Sequence, residues 1–182
     1  MKNKTILITG ASSGLGLQAA KELSGQGHEI ILLCRNHEKG NAAVSDIQSF
    51  SGNNKIHLYT ADLSVHASVA EVAGKIKKDF TKLDVLLNNA GAVFDEFKLS
   101  ADGLEMTIAN NHFNYFWLTH YLLDLLKNAG NARIVNVASD SHYKAKNIDI
   151  ESFTQKKKYF VLSAYEQSKL ANVLFTYSLA EK

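Results

Sequence analysis

The sequence predicts an α/β protein with a doubly wound parallel sheet of the Rossmann type. Short apolar and β-branched runs alternate with longer segments of helical period along the chain, which is the pattern of repeated βαβ units. The first of these runs leads directly into a glycine-rich turn, a feature with which such folds hold phosphate groups. Five strands with right-handed crossovers predict the strand order 3-2-1-4-5, with a ligand crevice at the carboxyl ends of strands one and four.

The first two strand–helix pairs have clear boundaries. Thr5–Thr9 is an unbroken apolar run, as expected of a strand buried on both faces. A helix follows the glycine turn, because positions 15–23 carry apolar residues at helical spacing. Glu29–Cys34 predicts the second strand, and a polar helix over His37–Phe50 is stopped by the turn residues Ser51-Gly52-Asn53-Asn54.

The middle of the chain continues the alternation. Lys55–Ala61 predicts strand three, and Ala67–Phe80 predicts an amphipathic helix with one apolar face. Leu83–Leu87 predicts strand four, followed by one long helix from about Ala101 to Lys127. Ala132–Ala138 predicts strand five, which is apolar enough to be covered on both faces and paired on both edges.

The last part of the chain is a polar segment followed by a helix. Ser139–Tyr159 has no regular period and includes Lys156-Lys157-Lys158, a charge run that predicts a solvated loop. The final helix begins near Val161 and is still in progress at Lys182. Residues 1–182 are therefore expected to form a single domain.

Composition and charge exclude several classes of protein. A net charge of +2 is too small to predict a nucleic-acid or acidic-membrane partner. The one cysteine, Cys34, cannot form an internal disulfide, which favours a reducing compartment. Gly10 ends the N-terminal apolar run too early for a signal peptide, and no segment has transmembrane length. We expect a cytoplasmic protein without a membrane segment and without a metal site.

The glycine turn is the first candidate binding element. It reads Thr9-Gly10-Ala11-Ser12-Ser13-Gly14-Leu15-Gly16, between the first strand and the first helix. Glycines let the backbone turn sharply and approach a ligand closely, and the amides at a helix N-terminus favour a pyrophosphate. The alternative is a plain tight turn between strand and helix. The predicted cofactor contacts in this turn are Gly10, Ser12, Ser13, Gly14, Leu15 and Gly16.

The residue after strand two indicates which dinucleotide is bound. A carboxylate there binds the ribose 2′-hydroxyl of NAD, whereas an arginine accommodates the 2′-phosphate of NADP. Cys34-Arg35-Asn36 offers one guanidinium and no carboxylate. Arg35 therefore favours NADP(H), with NAD(H) possible; the alternative is an ordinary surface arginine.

Tyr165 and Lys169 are the candidate catalytic pair. They lie four positions apart and so share one face of the last helix. A phenol with a pKa of about 10 is a poor base at neutral pH, but an adjacent ammonium favours phenolate and lowers that pKa. Such a phenol can donate a proton in one direction and accept it in the other. The spacing alone also occurs by chance on amphipathic helices.

Two further polar positions are candidates for the site. Ser139 follows strand five, at the edge of the sheet where the crevice is expected, and could bind a substrate oxygen; the alternative is a helix or turn cap. Asn110-Asn111 lies in an apolar helix, where a buried amide is costly unless it is bonded. One of the two asparagines is expected to have a role, unless both face solvent.

Together these residues resemble the short-chain dehydrogenase/reductase superfamily over almost the whole chain. The motifs are, in order, Thr9-Gly10-x-x-x-Gly14-x-Gly16, Asp62-Leu63, Asn88-Asn89-Ala90-Gly91, Asn111, Ser139 and Tyr165-x-x-x-Lys169. Three stretches resemble the retinol dehydrogenase and WW-domain oxidoreductase group within it: Leu33-Cys34-Arg35, Asn111-His112-Phe113-x-x-Phe116-x-Leu118-Thr119 and Tyr165-x-x-Ser168-Lys169-Leu170-Ala171-Asn172.

The resemblance implies a role for each site residue. Tyr165 would be the general acid/base, while Lys169 would lower its pKa and hold the nicotinamide ribose. Ser139 would orient a carbonyl or alcohol substrate, and Asn111 would complete a proton relay through water. The remaining residues would line the cofactor: Asp62 and Leu63 at the adenine, and Asn89, Ala90 and Gly91 at the ribose and ring.

The chain departs from the family pattern in two respects. No basic residue adjoins Gly14, so Arg35 would recognise a 2′-phosphate largely alone. The chain also lacks the C-terminal strands of the family, so we expect it to be C-terminally incomplete. Without a sixth strand the outer edge of strand five would present unpaired backbone groups, which predicts a homo-oligomer or self-association through that edge.

Three functional interpretations follow from the sequence. The favoured one is an oxidoreductase that passes hydride between nicotinamide and a small-molecule carbonyl or alcohol. The alternatives are a cofactor-binding scaffold without turnover, since a missing segment would leave the site open to water, and an inactive N-terminal fragment of such an enzyme.

Overall fold

A computed structural model describes residues 3–156 and 159–181 of the chain. The strands are β1 (Thr5–Thr9), β2 (Glu29–Cys34), β3 (Ile56–Thr60), β4 (Val85–Asn88) and β5 (Arg133–Asn136). The α-helices are α1 (Gly14–Gly25), α2 (His37–Ser51), α3 (His66–Asp79), α4 (Met106–Ile108), α5 (Asn114–Asn128) and α6 (Val161–Ala180). Lys157, Lys158 and Lys182, which the sequence places in a solvated loop and in the last helix, lie outside the described residues.

The five strands form one parallel sheet in the order β3-β2-β1-β4-β5, which confirms the predicted fold class and strand order. β1 lies at the centre, with Ile8 opposite Leu32 of β2 and opposite Leu87 of β4. Because the strands are parallel, the turns that follow β1, β2, β4 and β5 open at the same edge of the sheet. This edge is where the candidate site lies.

The sheet is covered on both faces by apolar helices. On one face Leu7 belongs to a core that includes Val69 of α3 and Leu122 of α5. On the other face Ile8 packs in a core that includes Ala20 of α1 and Ile47 of α2. Burial on both faces explains why β1 and β2 have continuous apolar sequences.

The long helix predicted over Ala101–Lys127 begins later and is not uniform. Residues 101–104 form a turn in which Gly103 has a φ of +74°, a conformation that ends any helix at that point. The Glu105 carboxylate then caps α4 by accepting hydrogen bonds from the amides of Thr107 and Ile108. A π-helical segment over Ala109–Phe113 joins α4 to α5. The wider π-turn is common at functional sites.

The polar segment after β5 is irregular apart from two short 3₁₀ turns, Asp140–Lys144 and Ile150–Phe153. β5 itself is shorter than predicted and is an outer strand. Arg133 and Val135 are exposed, and Val135 retains 45% of its accessible surface. Within the described residues β5 has no sixth strand beside it, so its outer edge is open, as the sequence predicts for a chain without that strand.

Candidate active site

A cavity of about 610 Å³ opens at the carboxyl ends of the strands. It is lined by twelve residues that the sequence singles out: Gly10, Ser12, Ser13, Leu15, Arg35, Leu63, Asn89, Ala90, Gly91, Ser139, Tyr165 and Lys169. Gly14, Gly16, Asp62 and Asn111 do not line it. Six further lining residues, most of which flank the strand ends, are not predicted from the sequence: Leu33, Ala61, Ala92, Val93, Val137 and Ala138. Asn110, the neighbour of Asn111, also lines the cavity.

The glycine turn is packed tightly against the segment after β4. Gly10 has a φ of +66°, and a Cβ at this position would lie 2.9 Å from the Ala90 Cα. A Cβ on Gly16 would lie 2.6 Å from the side-chain nitrogen Nδ2 of Asn89. By contrast, a Cβ on Gly14 would meet nothing within 4 Å, although its φ is +55°. Glycine is thus needed at positions 10 and 16 because neighbouring atoms leave no room for a Cβ. At position 14 it is needed because the backbone has a positive φ.

Thr9, at the end of β1, is hydrogen-bonded to the segment that follows β4. Its hydroxyl accepts hydrogen bonds of 2.9 Å from the backbone amides of both Asn89 and Ala90. The Asn89 side chain returns a 2.9 Å bond to the Thr9 carbonyl. These three hydrogen bonds tie the end of β1 to the end of β4 and so fix the separation between the glycine turn and Asn89–Gly91.

Arg35 and Lys169 are the charged residues among those that line the cavity. Arg35 is exposed at the end of β2, where its guanidinium is free to approach a ligand. The neighbouring Asn36 has a local structural task, because its side chain caps α2 by accepting from the Lys39 amide at 2.8 Å. On the other side of Arg35, Cys34 is buried, and burial raises the pKa of its thiol.

Asp62 uses its carboxylate within its own turn. Its Oδ1 accepts from the Ser64 amide at 2.9 Å and from the Ser64 hydroxyl at 2.6 Å. This contact fixes the chain ahead of α3 and leaves the neighbouring Leu63, 7% exposed, against the cavity.

Tyr165 and Lys169 both line the cavity from α6, as their spacing predicts. The Lys169 ammonium lies 5.6 Å from the centre of the Tyr165 ring. Lys169 is only 4% exposed and donates a 3.0 Å hydrogen bond to the Val137 carbonyl just after β5. Burial lowers the pKa of Lys169 from its ordinary value, because a desolvated ammonium is disfavoured.

Ser139 lines the cavity and also caps a turn. Its Oγ accepts from the Ser141 amide at 3.2 Å and donates to the Ser141 hydroxyl at 3.2 Å. The His142 ring Nδ1 donates to the Ser139 carbonyl at 2.7 Å. Ser139 therefore caps the turn, as the alternative interpretation predicts, and its hydroxyl would have to turn away from Ser141 to bind a substrate oxygen.

Asn111 is fully buried in the π-helical segment, so the alternative that both asparagines face solvent is wrong. Its Oδ1 accepts from the Ala92 amide at 2.8 Å, while its Nδ2 donates to the Ala92 carbonyl at 2.9 Å and to the Ser168 hydroxyl at 3.1 Å. The side chain thus lies behind the cavity wall and holds it, whereas Asn110 reaches the cavity.

Two other features of the described residues bear on the class of site. Across residues 3–156 and 159–181, no group of three or more histidine, cysteine or acidic side chains could hold a metal ion. Within the same ranges, no helix has both the length and the apolar character needed to cross a membrane.

The fold and the cavity define a Rossmann-type domain with a crevice at the carboxyl ends of its strands, and comparison with known proteins gives the family. The chain belongs to the short chain dehydrogenase family, whose model matches residues 4–182. Members of this family are oxidoreductases that bind nicotinamide cofactors.

Among curated proteins, the chain is similar to two retinol dehydrogenases of Homo sapiens. It is 39% identical to retinol dehydrogenase 11 over 182 residues and 41% identical to retinol dehydrogenase 13 over 180 residues. These alignments cover 100% and 98% of this chain but 57% and 54% of the relatives. The chain therefore spans little more than half the length of these relatives.

Solved structures show the same likeness. An uncharacterized protein from Mycobacterium Paratuberculosis matches 98% of this chain and 62% of its own, with a TM-score of 0.85 and 36% identity. A short chain dehydrogenase from Shigella flexneri, complexed with NADP, matches 100% of this chain and 72% of its own, with a TM-score of 0.79 and 25% identity.

Proposed function

We propose that residues 1–182 form a single cofactor-binding and catalytic domain of an NADP(H)-preferring oxidoreductase. In the proposed reaction, hydride passes between the nicotinamide C4 and the carbon of a carbonyl or alcohol group, and Tyr165 transfers the accompanying proton. The observation that carries the proposal is the convergence of Tyr165, Lys169 and Ser139 on the same cavity as the glycine turn.

The geometry of the pair on α6 supports acid/base chemistry by Tyr165. The Lys169 nitrogen lies 5.6 Å from the centre of the Tyr165 ring, and both side chains line the cavity. In reduction the carbonyl carbon accepts hydride and its oxygen takes the Tyr165 proton. In oxidation the phenolate takes the hydroxyl proton while hydride leaves the carbon.

The other lining residues suit binding and orientation. Ser139 would bind the substrate oxygen through its hydroxyl. The glycine turn would accept the pyrophosphate, with backbone amides and the α1 N-terminus facing it. Leu63 and Asp62 would flank the adenine, and Asn89, Ala90 and Gly91 would line the ribose and ring. Asn111 would act by holding Ala92, since both polar atoms of its side chain are bonded there.

Arg35 is the basis for the proposed preference for NADP(H). Arg35 lines the cavity just after β2, and a 2′-phosphate on the adenine ribose would lie beside it. The NADP complex of the similar Shigella flexneri dehydrogenase agrees with this assignment. Because the curated relatives are named retinol dehydrogenases, we propose an alcohol or aldehyde on an apolar carbon skeleton as the substrate class.

The direct test is transfer of an isotopic label in the full-length natural protein. The protein would be mixed with NADPH carrying deuterium at C4 and a panel of apolar aldehydes, and the products examined by NMR. We expect deuterium on the carbinol carbon of the product alcohol, at one label per NADPH consumed. NADPH binding without label transfer to any aldehyde of the panel would support the scaffold interpretation instead.

A further inference from the structure

Asn172 lies on α6, three residues after Lys169, and is fully buried. Its side chain crosses to the π-helical segment. Nδ2 donates a 2.8 Å hydrogen bond to the Asn111 carbonyl, and Oδ1 accepts from the His112 ring Nδ1 at 3.1 Å. This second contact requires the tautomer of His112 with its proton on Nδ1. Both ends of the Asn172 amide are therefore used within one helix–helix contact.

The contact continues to the wall of the cavity. Asn111, held by Asn172 through its backbone, holds both the amide and the carbonyl of Ala92 through its side chain. Ala92 lines the cavity beside Gly91, and a Cβ on Gly91 would lie only 3.7 Å from the Lys169 nitrogen. Asn172 is thus connected through Asn111 to the part of the wall next to Lys169.

We propose that Asn172 is a positioning residue for the nicotinamide end of the site. It fixes the separation between α6, which carries Tyr165 and Lys169, and the wall segment at Ala92. The assignment rests on the proposed function, because it takes the cavity to be the cofactor site. The glycine turn and Arg35, at the adenine end, are not part of this chain of contacts, so the effect of Asn172 is confined to one end of the cofactor.

The substitution Asn172→Asp tests this role because it keeps the shape and makes the contact depend on pH. Burial raises the pKa of a carboxyl group. While it is protonated, the introduced group can donate to the Asn111 carbonyl as the amide does. Once ionised, it places a negative oxygen against that carbonyl and the contact is lost. The titratable neighbour in contact with this position is His112, whose own pKa burial lowers.

The measurement is the affinity for NADPH from pH 5.5 to pH 9, compared with the affinity for adenosine 2′,5′-bisphosphate, which occupies only the adenine end. Loss of the contact is expected to weaken NADPH binding by about tenfold at the alkaline end relative to the unmutated protein, and little at the acid end. The affinity for adenosine 2′,5′-bisphosphate should match the unmutated protein throughout.

Asn136→Asp is the matched control. Asn136 donates to the Thr176 hydroxyl on α6 at 3.0 Å and accepts from the Asn88 side chain at 2.9 Å, without contacting Asn111. The substitution introduces a carboxyl group between β5 and α6. The ratio of the NADPH affinity to the adenosine 2′,5′-bisphosphate affinity in this variant should equal that of the unmutated protein at every pH. If Asn172→Asp does not fold, Asn172→Ser is measured at one pH and is expected to change the same ratio.

The outcomes separate the inference from the proposed function. An unchanged ratio in the Asn172 variants, or a parallel loss of both ligands, overturns the positioning role. Because the readout is binding, it decides the role of Asn172 even if the unmutated protein binds NADPH and turns over no carbonyl. Failure of the unmutated protein to bind NADPH would overturn both proposals together.

Discussion

The nitrogen of Lys169 lies 5.6 Å from the centre of the Tyr165 ring, one turn along the same face of α6. The lysine is 4% exposed, so its charge acts on the phenol through a medium with little water to screen it. The same burial disfavours the ammonium and lowers the pKa of Lys169. The ammonium beside Tyr165 is therefore held at a cost to the stability of the protein without cofactor.

This cost predicts how stability depends on pH. The pKa of Lys169 is lower in the folded state than the value of 10.5 that applies when it is exposed, so the unfolded state binds more protons between the two values. The stability of the unmutated protein without cofactor should then rise with pH across that window. The difference in free energy of unfolding between Lys169→Met and the unmutated protein should shrink from pH 7 to pH 10. Urea unfolding at each pH measures it, and a constant or widening difference would contradict the account.

Arg35 should control the choice of cofactor. Charge-assisted hydrogen bonds to a 2′-phosphate are expected to favour NADPH over NADH by roughly ten- to a hundredfold in affinity. Arg35→Ala should remove most of that difference by weakening NADPH binding while NADH binding is retained. Fluorescence titration of both cofactors decides it. Equal or reversed affinities in the unmutated protein would show that Arg35 does not read the phosphate.

Gly10 and Gly14 should respond differently to the same substitution. Gly14→Ala meets only the strain of a positive φ, about 1–2 kcal/mol. Gly10→Ala meets similar strain and also places a Cβ 2.9 Å from the Ala90 backbone, for which overpacking adds about 1–3 kcal/mol. Urea unfolding should therefore rank Gly10→Ala as clearly less stable than Gly14→Ala. Equal losses would mean that the close approach at Ala90 is relieved without cost.

The outer edge of β5 should make the 182-residue chain self-associate when it is produced alone. β5 ends the sheet in the described residues, and Val135 on it is 45% exposed; exposed edge strands offer a template for pairing. Val135→Lys should reduce the associated fraction seen by light scattering. Phe50→Gln removes exposed apolar surface on α2 and should leave it unchanged. A monodisperse monomer for the unmutated chain would contradict this prediction.

The sequence predicts the strands and their order well, because β1 and β2 are buried on both faces and leave unbroken apolar runs. The need for glycine at positions 10 and 16 is also predicted, since a Cβ at either position would force a neighbouring group to shift. The π-helical segment at Ala109–Phe113 is not, because one extra residue per turn barely alters a helical apolar period.

The periodicity of the sequence also does not predict which side chains contact one another. The pattern shows that Asn111 is expensive to bury, but not that its partners are Ala92 and Ser168. Asn172 has no periodic signature at all, since its partners come from a different helix 60 positions away or more. The exposure of Val135 depends on what covers the sheet, which the residues of β5 do not encode.

The substitution Tyr165→Phe tests the central claim most directly, because it removes only the proton donor and keeps the ring beside Lys169. The measurement pairs the turnover of an aldehyde substrate with NADPH against the dissociation constant for NADPH, both in the full-length natural protein. Tyr143→Phe, which alters a phenol that is 81% exposed on the 3₁₀ turn after Ser139, is the control and should behave like the unmutated protein. We expect Tyr165→Phe to lose turnover by about a hundredfold or more while NADPH binding stays within about twofold of the unmutated value. Substantial turnover in Tyr165→Phe would contradict the proposed mechanism.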